Sequence, residues 1–224
     1  MGNNNDEIKK NRRAAKNPAK RLAIIKAAEK VFALKGYHET PIADIAKEAG
    51  VSEATIYEYF LSKEDLLFSI PEETIRKYRD ENLEILPYIK GAANKLRAII
   101  RRHLSLYADN SDYANVVMLI LKGNRNFIKT DAYKVVQSAA RITTQVLEEG
   151  ISSGEFRSDI QPHLARAMIW GTIEHLVIRR GLLGKPKDLL ALTDEITRTI
   201  LSGISAASPS PDMQINVTVE HKHS

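Results

Sequence analysis

The sequence predicts an all-α protein in which an N-terminal three-helix unit precedes a larger helical bundle. Through most of the 224 residues, apolar side chains recur at three- and four-residue steps, which is the spacing of one face of a helix. Capping residues of the Ser, Thr, Pro and Gly types interrupt this pattern and mark where helices begin and end. Residues 215–219 alternate as a strand would, but no partner strand accompanies them, so no sheet is predicted.

The first helix is predicted at residues 20–35. Its apolar residues recur at helical spacing, and Gly36 follows as the residue that ends the helix. The side chains on the apolar face are Leu22, Ile25, Ala28 and Phe32. We expect this face to form a small core with the two short helices that come next.

The two short helices are predicted at 42–49 and 53–59, and residues 50–52 join them. Thr40 is predicted to cap the first and Ser52 the second, because a hydroxyl can accept from a free backbone N–H group. Two helices joined by a glycine turn are the pattern of a helix-turn-helix. A helix as short as 53–59 is stable only when it packs against the rest of the protein. Such a helix is suited to present its exposed side chains to a binding partner. The alternative is an ordinary helical hairpin of a bundle.

The rest of the chain is predicted to be helical up to about residue 204. Ser62 caps a long helix that ends near Leu86, with a kink expected at Pro71. Later helices are predicted at 91–108, 113–122, 127–152 and 162–180, and between the break at 184–186 and residue 204. The predicted domains are a flexible basic arm (1–18), a helix-turn-helix domain (19–65), a ligand-binding and dimer-forming domain (66–204) and a flexible tail (205–224).

The positive charge is concentrated at the N-terminus. Residues 1–21 contain seven Lys and Arg against Asp6 and Glu7, so they carry the whole formal excess of +5. A basic arm of this kind suits a polyanionic partner such as DNA. A solvated, flexible end that contacts nothing is the alternative.

Several chemistries are excluded by residues that the sequence lacks. It has no cysteine, which rules out disulfides, thiol nucleophiles and cysteine-ligated metals. Apart from a pair in the tail, its six histidines show no metal-ligand spacing, and there is no phosphate loop or Gly-x-Ser-x-Gly elbow. We therefore predict a protein that is not an enzyme, without catalytic residues, metal or cofactor. The absence of a signal core and of a membrane-length apolar run predicts a cytoplasmic protein with no membrane partner.

The segment from Gly36 to Leu66, GYHETPIADIAKEAGVSEATIYEYFLSKEDL, resembles the TetR family of bacterial transcriptional regulators. The resemblance implies a homodimeric, TetR-like repressor whose N-terminal domains bind double-stranded DNA. It also implies a larger domain that binds a small hydrophobic effector and thereby releases the protein from a palindromic operator. A helical ligand-binding or scaffolding protein that does not bind DNA is the alternative function.

The resemblance implies DNA-binding residues in and around the second short helix. Hydroxyls, tyrosines and a lysine are expected to contact backbone phosphate or to brace the helix, and they are Thr40, Ser52, Thr55, Tyr57, Tyr59 and Lys63. The candidates for reading bases are Glu53, Ala54 and Glu58. Glu58 departs from the family, where this position is often Arg, His or Tyr. A glutamate can accept from cytosine N4, but phosphates repel it.

The resemblance also implies that the last two helices form the dimer. Each of them carries an apolar stripe, and the residues of the two stripes are Leu164, Met168, Gly171, His175 and Ile178, and Leu189, Leu192, Ile196 and Ile200. Gly171 would allow a close approach of two helices. Internal core is the alternative role for these faces.

Residues 147–155 and 164–173 resemble TetR members of the fatty-acid-degradation type, which respond to long-chain acyl-CoA. Three apolar helices could enclose an acyl chain with candidate side chains Leu104, Tyr107, Met118, Phe127 and Trp170. Arg101, Arg102 or Arg125 could meet the phosphates at a pocket mouth. A hydrophobic drug-like molecule is the alternative effector, and simple packing is the alternative role of the aromatic residues.

Overall fold

The computed structural model describes residues 17–206, and α-helices account for most of them. The helices are α1 (Pro18–Lys35), α2 (Ile42–Ala49), α3 (Glu53–Tyr59), α4 (Lys63–Ile85), α5 (Ala92–Asp109), α6 (Ser111–Asn115), α7 (Asp131–Ser152), α8 (Pro162–Leu183) and α9 (Thr193–Ile204). A π-helical turn at Val116–Leu121 continues α6, and short 3-10 turns lie at Leu86–Tyr88, Phe127–Lys129 and Leu190–Leu192. Within these residues β structure is limited to one bridge, between Phe156 and Ser205, which confirms the all-α prediction.

Most of the predicted basic arm, residues 1–16, and the predicted tail from residue 207 lie outside the described residues. Asn17 caps α1 because its side-chain oxygen accepts from the backbone N–H of Lys20 at 3.1 Å. Pro18 therefore already belongs to the first helix. None of the helices between residues 17 and 206 is both long and apolar enough to cross a membrane.

Helices α1, α2 and α3 pack around a small common core. Phe32, Ile45 and Ile56, one from each helix, are buried together. Gly50 has a φ of +65°, a left-handed conformation that favours glycine, and it lets the chain reverse from α2 into α3. The helix-turn-helix arrangement is thus present as predicted. Leu22 was expected in this core, but it is 40 % exposed and lines a groove between α1, α4 and α5.

Helix α4 connects the helix-turn-helix unit to the larger domain. Ser62 Oγ accepts from the backbone N–H of Asp65 at 3.1 Å, while the Asp65 carboxylate accepts from Leu61 N–H at 2.9 Å. The helix continues through Pro71 and packs against α7. A second connection runs from α1 to α6. The cap predicted from Ser62 is confirmed.

Several helix ends differ from the predicted ones. Helix α6 begins at Ser111, two residues earlier than expected, and α8 continues to Leu183, where Gly184 ends it at a φ of +66°. Helix α7 begins later than expected because the Thr130 hydroxyl caps it by accepting from Tyr133 N–H at 3.2 Å. The differences at α7 and α8 follow from the capping residues Thr130 and Gly184.

The chain after α7 returns to the end of α9. Arg157 N–H donates to Ile204 O at 2.9 Å, and Ala206 N–H donates to Glu155 O at 3.0 Å. Phe156 lies buried between these bonds and packs against Gly150 of α7. The first two residues of the predicted tail are therefore bonded to the domain.

Candidate DNA interface and effector-binding domain

Helix α3, the second helix of the helix-turn-helix and its recognition helix, has one face buried in the core and a side-chain cap at its N-terminus. Ile56 and Tyr59 are buried in the common core. Ser52 Oγ accepts from Thr55 N–H at 3.1 Å and also shares a hydrogen bond with Thr55 Oγ1 at 2.9 Å. Because one face of this two-turn helix is buried, its other face must point away from the protein.

The outward face of α3 carries four of the predicted DNA-binding residues, which are Glu53, Ala54, Tyr57 and Glu58. All four are exposed, and Tyr57 is 46 % exposed even though its ring is large and mostly apolar. An exposed aromatic side chain on a short docked helix is suited to contact with a partner. Glu53 lies in the first turn, where its charge complements the helix dipole.

Lys63 begins α4, close to the end of the recognition helix. Its ammonium lies over the ring of Tyr37, 4.6 Å from the centroid, and Tyr37 in turn packs against Phe32. A lysine in the first turn of a helix is opposed by the dipole, whereas an anion bound there is favoured. The aromatic contact holds this cation where it can meet a phosphate. The prediction missed Tyr37, although it directly follows the glycine that ends α1.

Thr40 and Tyr59 do not lie on the exposed face. Thr40 has no exposed surface, and its hydroxyl donates to Gly36 O at 2.6 Å. Helix α2 has Pro41 as its N-cap, so the predicted cap from Thr40 is wrong, and its hydroxyl is not exposed to make the predicted phosphate contact. Tyr59 is 6 % exposed and braces α3 from inside.

The three aromatic residues of the predicted acyl pocket belong to two different aromatic clusters. Leu104, Tyr107, Met118 and Phe127 are all buried, and Trp170 is half-buried. The structure brings Tyr107 and Trp170 together around His103. It places Phe127 in a separate cluster, where its ring packs against Phe68 and Tyr133 at centroid distances of 5.5 and 5.7 Å. A single pocket lined by all five side chains was therefore the wrong expectation.

His103 is at the centre of the first cluster. Its ring centroid lies 3.7 Å from that of Trp170, 4.8 Å from that of Tyr107 and 5.5 Å from that of Tyr78. Neither of its ring nitrogens has a hydrogen-bond partner, and the same is true of Trp170 Nε1. Burial lowers the pKa of His103 to about 3, so the imidazole is neutral at physiological pH. The prediction missed this residue, which shares one helix face with Tyr107.

A basic groove of about 900 Å³ lies between α4, α7 and α8. Five cationic or titratable basic side chains line it, against Glu148 as its acidic side chain, and they are Arg79, Lys134, Arg141, His163 and Arg166. Arg166 Nη1 donates to Thr144 Oγ1 at 2.9 Å. Arg79 and Lys134 are ion-paired with Asp80 and Asp131, so Arg141 and Arg166 are the arginines that the groove offers to an anionic group.

The arginines predicted at the pocket mouth do not line the basic groove. Arg101 and Arg125 are exposed elsewhere on the surface. Arg102 donates to Asn82 Oδ1 and Glu81 Oε2, both at 2.7 Å, and it lines the separate groove of about 460 Å³ beside α1. Its charge is thus already paired. The predicted set is wrong for the basic groove, because the residues that form it come from three helices far apart in sequence.

The predicted dimer face is partly exposed and partly internal. Leu164 and Met168 of α8 are 58 % and 65 % exposed. The remaining exposed or half-buried members of the predicted set are Gly171, His175, Ile178, Leu192 and Ile200. Leu189 and Ile196, in contrast, are buried within the chain itself, where their segment packs against α5. Their predicted place on the outer face is wrong.

Comparison with known proteins links both halves of the chain to one kind of regulator. Residues 24–70 match the bacterial regulatory proteins of the tetR family, and residues 72–203 match the C-terminal region of YsiA-like proteins. The fatty acid metabolism regulator protein of Bacillus subtilis (strain 168) is 35 % identical over 185 residues, which cover 83 % of this chain and 95 % of that protein.

Two solved structures show the same fold at comparable identity. The transcriptional regulator FadR from Bacillus subtilis, in complex with stearoyl-CoA, is 35 % identical with a TM-score of 0.77 and covers 82 % of this chain and 98 % of its own. The fatty acid degradation regulator FadR from Bacillus halodurans is 31 % identical with a TM-score of 0.75 and covers 81 % and 98 %. Together with the exposed recognition helix and the separate effector domain, these likenesses show that the chain belongs to the tetR family of DNA-binding transcriptional regulators.

Proposed function

We propose that this protein is a ligand-released repressor that binds a palindromic operator as a homodimer, and that its effector is a long-chain acyl-CoA. The observation that carries the effector is the basic groove, whose lining includes Ile142 of the hydrophobic core. An acyl-CoA joins a polyanionic head to a long apolar chain, and this protein offers a complementary surface for each end. The relative from Bacillus subtilis that was solved with stearoyl-CoA supports the same assignment.

The size of the basic groove fits the head of such a ligand. The groove follows α7 from Lys134 to Glu148, about 21 Å at 1.5 Å per residue. At one end Arg166 lies one helical turn before Trp170, whose indole contacts His103 in the core. A ligand in the groove can therefore place its phosphates along α7 and direct its chain past Trp170.

Release from DNA requires two states of the dimer. In the DNA-binding state, the two α3 helices must lie about 34–36 Å apart to enter successive major grooves. An effector that binds better to a state with another spacing lowers the population that fits the operator. The contact of α1 with α6 and of α4 with α7 supplies two connections between the domains. The exposed apolar side chains of α8 support the dimer.

The test is the release of a labelled duplex that the protein itself has selected from a random-sequence pool. Anisotropy is followed while acyl-CoAs of 8 to 18 carbons, free CoA, free fatty acid and a cationic hydrophobic dye are titrated. Release should strengthen with chain length, and free CoA should release nothing. Release by the dye alone would support the drug-like effector. Retention on DNA that is weak and insensitive to salt would support a helical protein without DNA-binding function.

Two charge-reversing substitutions test whether the CoA head group binds in the basic groove. Arg141→Glu, inside the basic groove, should weaken release by acyl-CoA roughly tenfold or more, because a charge-assisted contact becomes a repulsion. Arg101→Glu makes the same change on an exposed arginine outside the groove, and it should leave release unchanged. Equal effects of the two substitutions would contradict the assignment of the groove.

A further inference from the structure

We propose that His103 and Trp170 recognise a carbonyl oxygen in the buried part of the effector, which in an acyl-CoA is the thioester carbonyl. The inference rests on the proposed effector, and it adds which polar group of that effector is recognised by hydrogen bonds inside the core. It assigns to His103 a role in specificity in a domain that otherwise binds its ligand through charge and apolar contact.

The ring nitrogens of His103 and the indole nitrogen of Trp170 have no hydrogen-bond partners. His103 is 3 % exposed, and both ring nitrogens as well as Trp170 Nε1 are buried without a hydrogen bond. The two rings contact each other at 82°, yet none of the three nitrogens bonds to the other ring. Buried polar atoms almost always have a partner, because leaving one unsatisfied destabilises the protein. Two such side chains in contact indicate a place for a ligand atom.

The donors available on His103 and Trp170 determine which kind of ligand atom they could bind. A neutral imidazole has one N–H donor, and an indole has one N–H donor and no acceptor. The two rings are in contact and each carries one unpartnered N–H, and an oxygen with two lone pairs is the acceptor that could take one bond from each. The low pKa of His103 keeps the ring uncharged, so an uncharged acceptor fits better than a carboxylate, which would be buried without a counter-charge. A thioester carbonyl meets both requirements, whereas the carboxylate of a free fatty acid does not.

His103 and Trp170 lie near both the basic groove and the buried core. Trp170 lies one turn beyond Arg166 of the basic groove, and His103 is followed on the same face of α5 by the buried Tyr107. The pair therefore has the groove-lining Arg166 one helical turn away on α8 and the buried Tyr107 one turn away on α5. In an acyl-CoA the thioester likewise separates the polar pantetheine from the apolar chain.

Tyr78 provides the contrast within the same cluster. Its ring packs against His103, but its hydroxyl donates to Ile99 O at 3.5 Å and is not among the unpartnered atoms. Removal of this hydroxyl perturbs the cluster without removing a donor that the ligand needs. Tyr78→Phe is therefore the matched control for His103→Phe and Trp170→Phe.

The experiment compares hexadecanoyl-CoA with S-hexadecyl-CoA, a thioether that has the same head and chain length but no carbonyl. Dissociation constants are measured by calorimetry on the full-length protein. The wild type should bind the thioester about tenfold more tightly, the effect of one or two buried hydrogen bonds. In His103→Phe and in Trp170→Phe the ratio should fall towards one, mainly through weaker binding of the thioester. In Tyr78→Phe it should stay near the wild-type value.

Each outcome decides a separate point. Equal affinities of the wild type for thioester and thioether would overturn the carbonyl inference and leave the acyl-CoA effector standing. Failure of both compounds to bind would overturn the effector itself. An unchanged ratio in Trp170→Phe, which keeps an aromatic ring and removes the N–H, would overturn the assignment even if His103→Phe failed to fold.

Discussion

The carboxylate of Glu155 caps helix α5 by accepting the backbone N–H of Ala92 at 2.9 Å, across 63 positions of sequence. A second bond, from Ala93 N–H at 3.1 Å, completes the cap. The N-cap residue of α5 is Gly91, which has no side chain to serve this purpose. The turn after α7 thus supplies to α5 what its own sequence lacks.

Glu155→Ala should lower the free energy of unfolding by about 1 kcal/mol at pH 7, the usual effect of a lost cap. The two backbone bonds favour the ionised carboxylate and lower its pKa below the ordinary value of 4.5. Because the pKa of Glu155 is lower in the folded protein than in the unfolded chain, the ionised carboxylate stabilises the fold at pH values above the unfolded-state pKa. This stabilisation is lost as the pH falls through the folded-state pKa. Urea titrations at pH 7 and pH 3 measure the difference, which should shrink in acid. A difference independent of pH would contradict the charged cap.

Gly150→Ala should destabilise the protein by about 1–3 kcal/mol, because the new methyl group would overlap the buried ring of Phe156. A Cβ at this position would lie 2.1 Å from Phe156 Cδ2. Gly203→Ala is the control, since Gly203 is also helical and a Cβ there meets nothing within 4 Å. It should raise stability slightly through helix propensity. Thermal melts of the two variants should shift in opposite directions.

Tyr57→Ala with Lys63→Ala should weaken binding to the selected duplex and to random duplex by similar factors, because both side chains are expected to contact the backbone. Loss of the Lys63 contact should also reduce the slope of log affinity against log salt by about 0.9. Lys77→Ala removes an exposed lysine from the same helix and should change neither quantity. A double variant that folds and keeps the wild-type salt dependence would refute the phosphate assignment.

Leu164→Glu with Met168→Glu should give folded monomers that no longer bind the operator. Both side chains are exposed in the single chain, so the substitutions leave its core intact. Ile128→Glu, another exposed apolar position, should remain dimeric. Sedimentation velocity gives the oligomeric state, and a dimer that persists in the double variant would exclude this face. Ile196→Glu is expected to unfold the chain, because that side chain is internal.

The features that the sequence predicts best are those set by neighbours along the chain. The cap at Ser52, the positive φ of Gly50 and the buried face of α3 each depend on residues a few positions apart, and all three are present. Several of the errors concern contacts between distant segments. Periodicity indicates that Ile196 belongs to an apolar stripe, but it cannot tell whether α5 or a second copy covers that stripe.

The same limit applies to the effector domain. The basic groove depends on Arg79, Arg141 and Arg166, which only the packing of three helices brings together. The cap predicted from Thr40 is a local error instead, since its hydroxyl donates to Gly36 O, four positions back. The sequence places His103 on an amphipathic helix but does not distinguish it from its neighbours. Only the three-dimensional structure shows that its ring nitrogens have no hydrogen-bond partners.

The bonds between residues 155–157 and 204–206 bring the entry and the exit of the α8–α9 hairpin to one place. A segment with adjacent ends can be exchanged as a block, since a graft needs only two joins at a single site. Under the proposed dimer, replacing this hairpin with that of a relative should change the dimer partner and leave helices α1–α3 unchanged. Partner choice and operator choice would then be encoded in separate parts of one chain, so that related regulators could diverge in one while keeping the other.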